Sequence, residues 1–234
     1  MKKTRINFGA ILLIAYAVMN YAFMSMLASD YLSPFLTLNN DVLDTLRSAV
    51  SSCKLVTFVI IGFSIPLLFG KKWGAIGIGA SMAGISLINF VKPITNLGSL
   101  IVSGEKFSWE QFLSSVSLLI FVFVPLVVGW LAFGAAGFFS ENKQGGRSIL
   151  ALICKIVSAI LIVFSSSSQS IQLFNKMAKG RTFAEVFTKL IIPDGILFVT
   201  YAIMILILAV GMILSVKCLE KAKVEKKVEA VTEA

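Results

Sequence analysis

The sequence has 234 residues, of which 57% are apolar and 14% charged, whereas soluble domains carry charge on about 25% of theirs. With a mean hydropathy of +0.91, this balance excludes an ordinary water-soluble domain and places the chain in the membrane class as one helical bundle. The net charge of +9 would suit nucleic acid, but the basic residues sit in short clusters beside apolar runs, as topology-fixing charges at a lipid surface do. No nucleic-acid partner is expected.

Met1–Asn7 holds Lys2, Lys3 and Arg5, and Phe8–Leu27 is apolar and uncharged. Its length exceeds the 7–15 residues of a signal-peptide core, and Met26-Leu27-Ala28 lacks a small residue at the −3 place, so it reads as a retained first span. Ala28–Ser52 is a polar loop with Asp30, Asp41, Asp44 and the turn signals Ser33-Pro34 and Asn39-Asn40. Leu43, Leu46 and Val50 give it a short amphipathic helix leading into a second span, Cys53–Phe69. Gly70-Lys71-Lys72 is a tight turn, and Trp73–Val91 is a third span crowded with small residues.

Lys92–Gln111 is a second long loop. It ends on the stripe Trp109, Phe112, Leu113, Val116, which runs into the fourth span, Phe112–Phe139. No charge falls between Glu110 and Glu141, and about 20 apolar residues suffice to cross the hydrocarbon core. Pro125 is expected to kink this span with help from neighbouring helices. Ser140–Arg147 is a polar turn. Ser148–Ser165 is a fifth span that frays at Ser165–Ser168. Gln172–Asp194, the most basic long loop, carries Lys176, Lys179, Arg181 and Lys189, and Phe183, Val186, Phe187 and Leu190 form its stripe. Pro193-Asp194-Gly195 breaks the chain before a sixth span, Ile196–Val216. Residues 217–234 mix five lysines with four glutamates and read as a solvated helical extension, a charged cytoplasmic tail.

The expected fold is therefore all-α: a polytopic helical membrane protein with six transmembrane helices over residues 1–216. Twelve of the 21 basic residues lie in short segments on the side of the termini, and eight are spread over the three long loops. The positive-inside rule then puts both termini in the cytoplasm, with the plasma membrane as the expected location. The basic third loop is either a charged aqueous connection or a contact for anionic headgroups or an acidic partner. The spans also fall into three units of about seventy residues. Lys2-Lys3 aligned with Lys71-Lys72 sets Asn20-Tyr21 opposite Asn89-Phe90, and Gly104–Phe107 matches Gly180–Phe183. Three repeated helical hairpins with outer amphipathic segments would give this pattern, and so would any six-span chain with short inner turns.

Chemistry has little to work with. The chain has no histidine, the commonest general base and metal ligand. Cys53, Cys154 and Cys218 have no CxxC spacing and imply neither a disulfide framework nor a zinc site. No enzyme motif is present, so no catalytic residue, cofactor or metal is expected. Lys54 and Lys155 have stems long enough to snorkel, and Lys155 has no carboxylate in a span at its depth. Asn20 and Asn89, with Lys92, Lys155, Ser165 and Gln169, either line an outward-facing polar pocket or make contacts between helices. Ala75, Gly79 and Ala83 form a small-residue face for close helix packing, its partner being within the chain or in another subunit. Two functions follow: a non-enzymatic accessory or structural subunit of a membrane assembly, partnered by the bilayer and by other subunits or a second copy, or a small-molecule transporter or binding component.

Overall fold

The computed structural model describes residues 6–27, 40–102, 109–140, 145–178 and 192–232. These residues form helices and turns, with no strand among them. The helices are α1 (Phe8–Leu27), α2 (Asn40–Leu68), α3 (Lys72–Val102), α4 (Trp109–Leu118), α5 (Val124–Phe139), α6 (Gly145–Ala178) and α7 (Ile192–Thr232). A π-turn, Leu119–Phe123, joins α4 to α5, so the seven helices make six rods.

Five rods contain a stretch long and apolar enough to cross a membrane: Phe8–Met26, Val50–Leu68, Leu119–Phe139, Ile149–Ser168 and Val199–Glu220. Their large side chains point outward as often as inward. Phe58, Leu131, Ile160 and Leu206 are all more than half exposed, as suits helices surrounded by hydrocarbon. Neighbours in sequence pack side by side, α1 on α2, α2 on α3, α3 on α5, α5 on α6 and α6 on α7, and α7 closes the ring against α1. The core within the ring is Leu13, Ile60, Ile78, Trp130, Phe133, Leu208 and Met212.

Small residues let the ring close. A Cβ on Gly79 would lie 2.6 Å from the Trp130 carbonyl oxygen and 2.7 Å from the Gly134 Cα, so the α3 and α5 backbones touch where no side chain intervenes. One turn away Gly137 meets Ala75. Ala75 and Gly79 therefore face α5 of the same chain, and Gly134 and Gly137 are the other half of one seam, while Ala83 is buried further along α3. Gly129 faces Ile162 on α6 instead.

The start of α1 and the end of α2 are tied by hydrogen bonds. The helix α2 stops in a left-handed Gly70 (φ 69°). Lys71 N–H donates to the Pro66 carbonyl and Gly70 N–H to the Leu67 carbonyl, both at 3.0 Å, the paired bonds of a glycine-terminated helix. The next carbonyl, of Leu68, accepts from Asn7 N–H at 3.0 Å.

The amphipathic stretch leads directly into the second span, α2 being continuous from Asn40. Helix boundaries differ from the sequence reading in three places. The third helix does not end near Val91 but runs to Val102, and Pro93 fails to stop it. Ser165–Ser168 is not a frayed end, because α6 continues to Ala178. Pro193 opens α7 rather than breaking the chain. In a first helical turn the missing N–H costs nothing, and Asp194 suits the positive end of the helix. At Pro125 the fourth rod absorbs the ring through the preceding π-turn, and Ser165 on α6 donates to the Val122 carbonyl of that turn at 2.8 Å. The Phe183–Leu190 stripe, the Gly104–Phe107 and Gly180–Phe183 pairing, and the basic residues of the first segment lie outside the described residues.

Candidate functional site

Polar side chains inside the bundle gather at two levels. Toward the end that holds Asn7 and Ser215, α6 carries Lys155 and α7 carries Glu220. The Lys155 Nζ lies 3.4 Å from Glu220 Oε2, with the lysine side chain 8% exposed and the glutamate 31%. This corrects the expectation that Lys155 lacks a carboxylate at its depth. It also corrects the reading of residues 217 onward as wholly solvated tail. The helix does not stop at Val216, and one further turn brings Glu220 to the lysine. An unpaired ammonium at this depth would cost several kcal/mol, of order 3 in a translocon-type measure. The pair lowers that cost and ties α6 to α7.

Asn7 was not singled out from the sequence, although an asparagine immediately before an apolar run is a helix-start signal. It is 2% exposed and joins three helices. Its Oδ1 accepts from Gly9 N–H at 3.1 Å, capping α1, while its Nδ2 donates to the Ser215 carbonyl of α7 at 2.9 Å. With its backbone bond to Leu68, one residue fixes the ends of α1 and α2 to α7.

The second level lies between α1 and α2. Asn20, 9% exposed, places Nδ2 3.9 Å from Cys53 Sγ. One turn along, the Thr57 hydroxyl is 2.8 Å from the Cys53 carbonyl and 3.2 Å from the Ala17 carbonyl of α1. On α7, Tyr201 stacks on Phe23 of α1 at 6.4 Å.

The remaining sequence candidates do not join these groups. Asn89 is exposed on α3, between Ile88 (73%) and Val91 (56%), and donates no hydrogen bond to another described residue. Ser165 is fully buried and bonds Val122. Lys92 and Gln169 lie in helices, and their side chains fall outside the described residues. No hydrogen bond among the described residues links Asn20 to Asn89 or to Ser165. The three cysteines are free thiols. Among the described residues no group of three His, Cys, Asp or Glu is placed to hold a metal.

The class these features define is a multi-pass helical membrane protein. Comparison with protein families, with curated proteins and with solved structures gives no match.

Proposed function

We propose that this chain is a non-enzymatic, six-span integral membrane protein acting as an accessory or structural subunit of a membrane assembly. The third helix α3 is the sixth span. Its many Gly, Ala and Ser residues lower its apolar content, but its 31 residues cover about 46 Å, more than the hydrocarbon core. With an even number of spans both termini lie on one side, the cytoplasmic side of the plasma membrane by the basic-residue bias. The closed ring in chain order supports a reading as three consecutive hairpins.

The observation that carries the functional reading is where the polar side chains go. Asn7, Thr57, Lys155 and Ser165 each bond a second helix of this chain, so these side chains serve to hold the bundle, although Ser25 Oγ, Ser64 Oγ and Trp130 Nε1 are buried without a hydrogen-bond partner among the described residues. Asn89 makes no such bond to another described residue and is exposed. An amide exposed on a helix flank in lipid is best satisfied by another helix, and a neighbouring subunit or second copy would supply it.

A photoreactive residue at position 89, activated in native membranes, tests this reading. One discrete protein adduct, recovered again as a stoichiometric partner in mild detergent, is the expected result. Adducts with lipid alone, on a monomer that retains a bound small molecule, would favour a transporter instead.

A further inference from the structure

Between α1, α2 and α7 the bundle brings together polar groups that it does not itself satisfy. Tyr16 of α1 packs on the core and lies within electrostatic reach of Cys53 on α2 and Tyr201 on α7. Its hydroxyl nonetheless makes no hydrogen bond to a described residue. Asn20 follows one turn along the same face of α1 and is 9% exposed. Its Nδ2 is 3.9 Å from the Cys53 sulfur, a weak acceptor at the limit of bonding distance. Its Oδ1 has no partner among the described residues.

Other buried hydroxyls avoid this cost by turning back on their own helix. Ser86 donates to the Met82 carbonyl, Ser158 to that of Lys155 and Ser215 to that of Met212. A tyrosine hydroxyl stands too far from its own backbone to do the same, and Thr57 beside it is already engaged by the Cys53 and Ala17 carbonyls. One turn beyond Asn20, the stacked rings of Phe23 and Tyr201 cover the group. A donor and an acceptor are thus left open on either side of the Cys53 thiol, in a part of the bundle where unmet polar groups are costly.

Depth and charge select what could meet them. Asn20 lies six residues inside the end of the apolar stretch Phe8–Met26, about 9 Å along the helix. No Asp, Glu, Lys or Arg occurs in residues 8–27, 55–69 or 195–216, and Lys54, next to Cys53, is exposed. A carboxylate or ammonium on the ligand would find no counter-charge there. A single hydroxyl oxygen, by contrast, can accept from Tyr16 and donate to Asn20 Oδ1 at once. The geometry points to a binding site between α1, α2 and α7 for the hydroxyl group of an uncharged alcohol. Such a site requires only the membrane class, and it is compatible with an accessory subunit.

The test uses the full chain in phosphatidylcholine vesicles, photolabelled with azi-octanol, an octanol that carries a diazirine. Adducts on single residues are measured by mass spectrometry. Tyr21 lies about 140° around α1 from Tyr16 and reports labelling outside the site. Tyr16 should carry several-fold more adduct than Tyr21. Unlabelled octanol should remove that excess, whereas octane, without the hydroxyl, and octanoate, with a charge, should leave it. Displacement by octanol but not by glycerol assigns the ligand to the bilayer, and displacement by both assigns it to the aqueous side. Asn20→Leu should lower the Tyr16 excess several-fold at an unchanged melting temperature. Equal labelling of the two tyrosines, or an excess that octane or octanoate removes as well as octanol does, would overturn the site while leaving the membrane class and the accessory role standing.

Discussion

A lysine ammonium drawn into a helix bundle needs a carboxylate close by, and Lys155 obtains one from the turn of α7 that follows the last apolar residues. Glu220→Gln removes the charge partner and leaves the ammonium buried. It is expected to destabilise the bundle by about 1–3 kcal/mol, below the figure for fully buried pairs because Glu220 is 31% exposed. Lys155→Met/Glu220→Gln should recover most of that loss, since no unpaired charge remains. Denaturant unfolding in detergent across the double-mutant cycle measures the coupling, and strict additivity would mean that the two side chains do not interact. Asn7→Ala removes a helix cap and the bond to Ser215, an expected loss of about 1–2 kcal/mol. Asn7→Asp keeps the capping oxygen but sets a buried carboxylate against the Ser215 carbonyl, so it should destabilise at least as much as Asn7→Ala. An Asn7→Ala chain as stable as the parent would contradict this role. Both sites were hard to read from sequence for a physical reason. Pairing Lys155 with Glu220 requires knowing that α7 continues unbroken past Val216, and at what angle it then faces α6. The cap at Asn7 was signalled locally by the apolar run after it, but its second bond spans 208 residues.

At the scale of the helices, close approach is set by glycines, and position matters more than number. Gly79→Ala drives a methyl group into the α5 backbone and should cost about 1–3 kcal/mol through overpacking. Gly84→Ala, five residues along the same helix, meets nothing within 4 Å and should be neutral or stabilising by up to about 1 kcal/mol. Equal melting temperatures for the two variants would contradict the assignment of this seam. The same contrast shows what the sequence disclosed. The spacing of Ala75, Gly79 and Ala83 revealed one packing face, and the face that it meets holds Gly134 and Gly137 of α5. That the two faces pack on one another depends on the ring order, which no local pattern encodes. Helix ends were the least legible feature. Proline and serine are poor stop signals where a π-turn, a first-turn position or a hydroxyl–carbonyl bond to the next helix makes them compatible with a continuous rod.

For the whole molecule, the ring in chain order explains how so few polar groups suffice. Each rod packs chiefly on two neighbours, and among the described residues glycines and side chains such as Asn7, Thr57, Lys155 and Ser165 hold the seams between them. The apolar runs made the membrane class plain, because long uncharged stretches have few other stable solutions. They could not decide the span count for α3, whose small residues weaken its apolar signal for the same reason that they improve its packing. The parity of the spans is what the proposed topology turns on. It is tested most directly by single cysteines placed near each terminus and in the three long connections, with Cys53, Cys154 and Cys218 replaced by alanine. The cells are labelled with an impermeant maleimide before and after permeabilisation. Both terminal positions should label only after permeabilisation, with the long connections reactive in intact cells. Labelling of one terminus but not the other in intact cells would mean an odd number of crossings, and α3 would then not be a span.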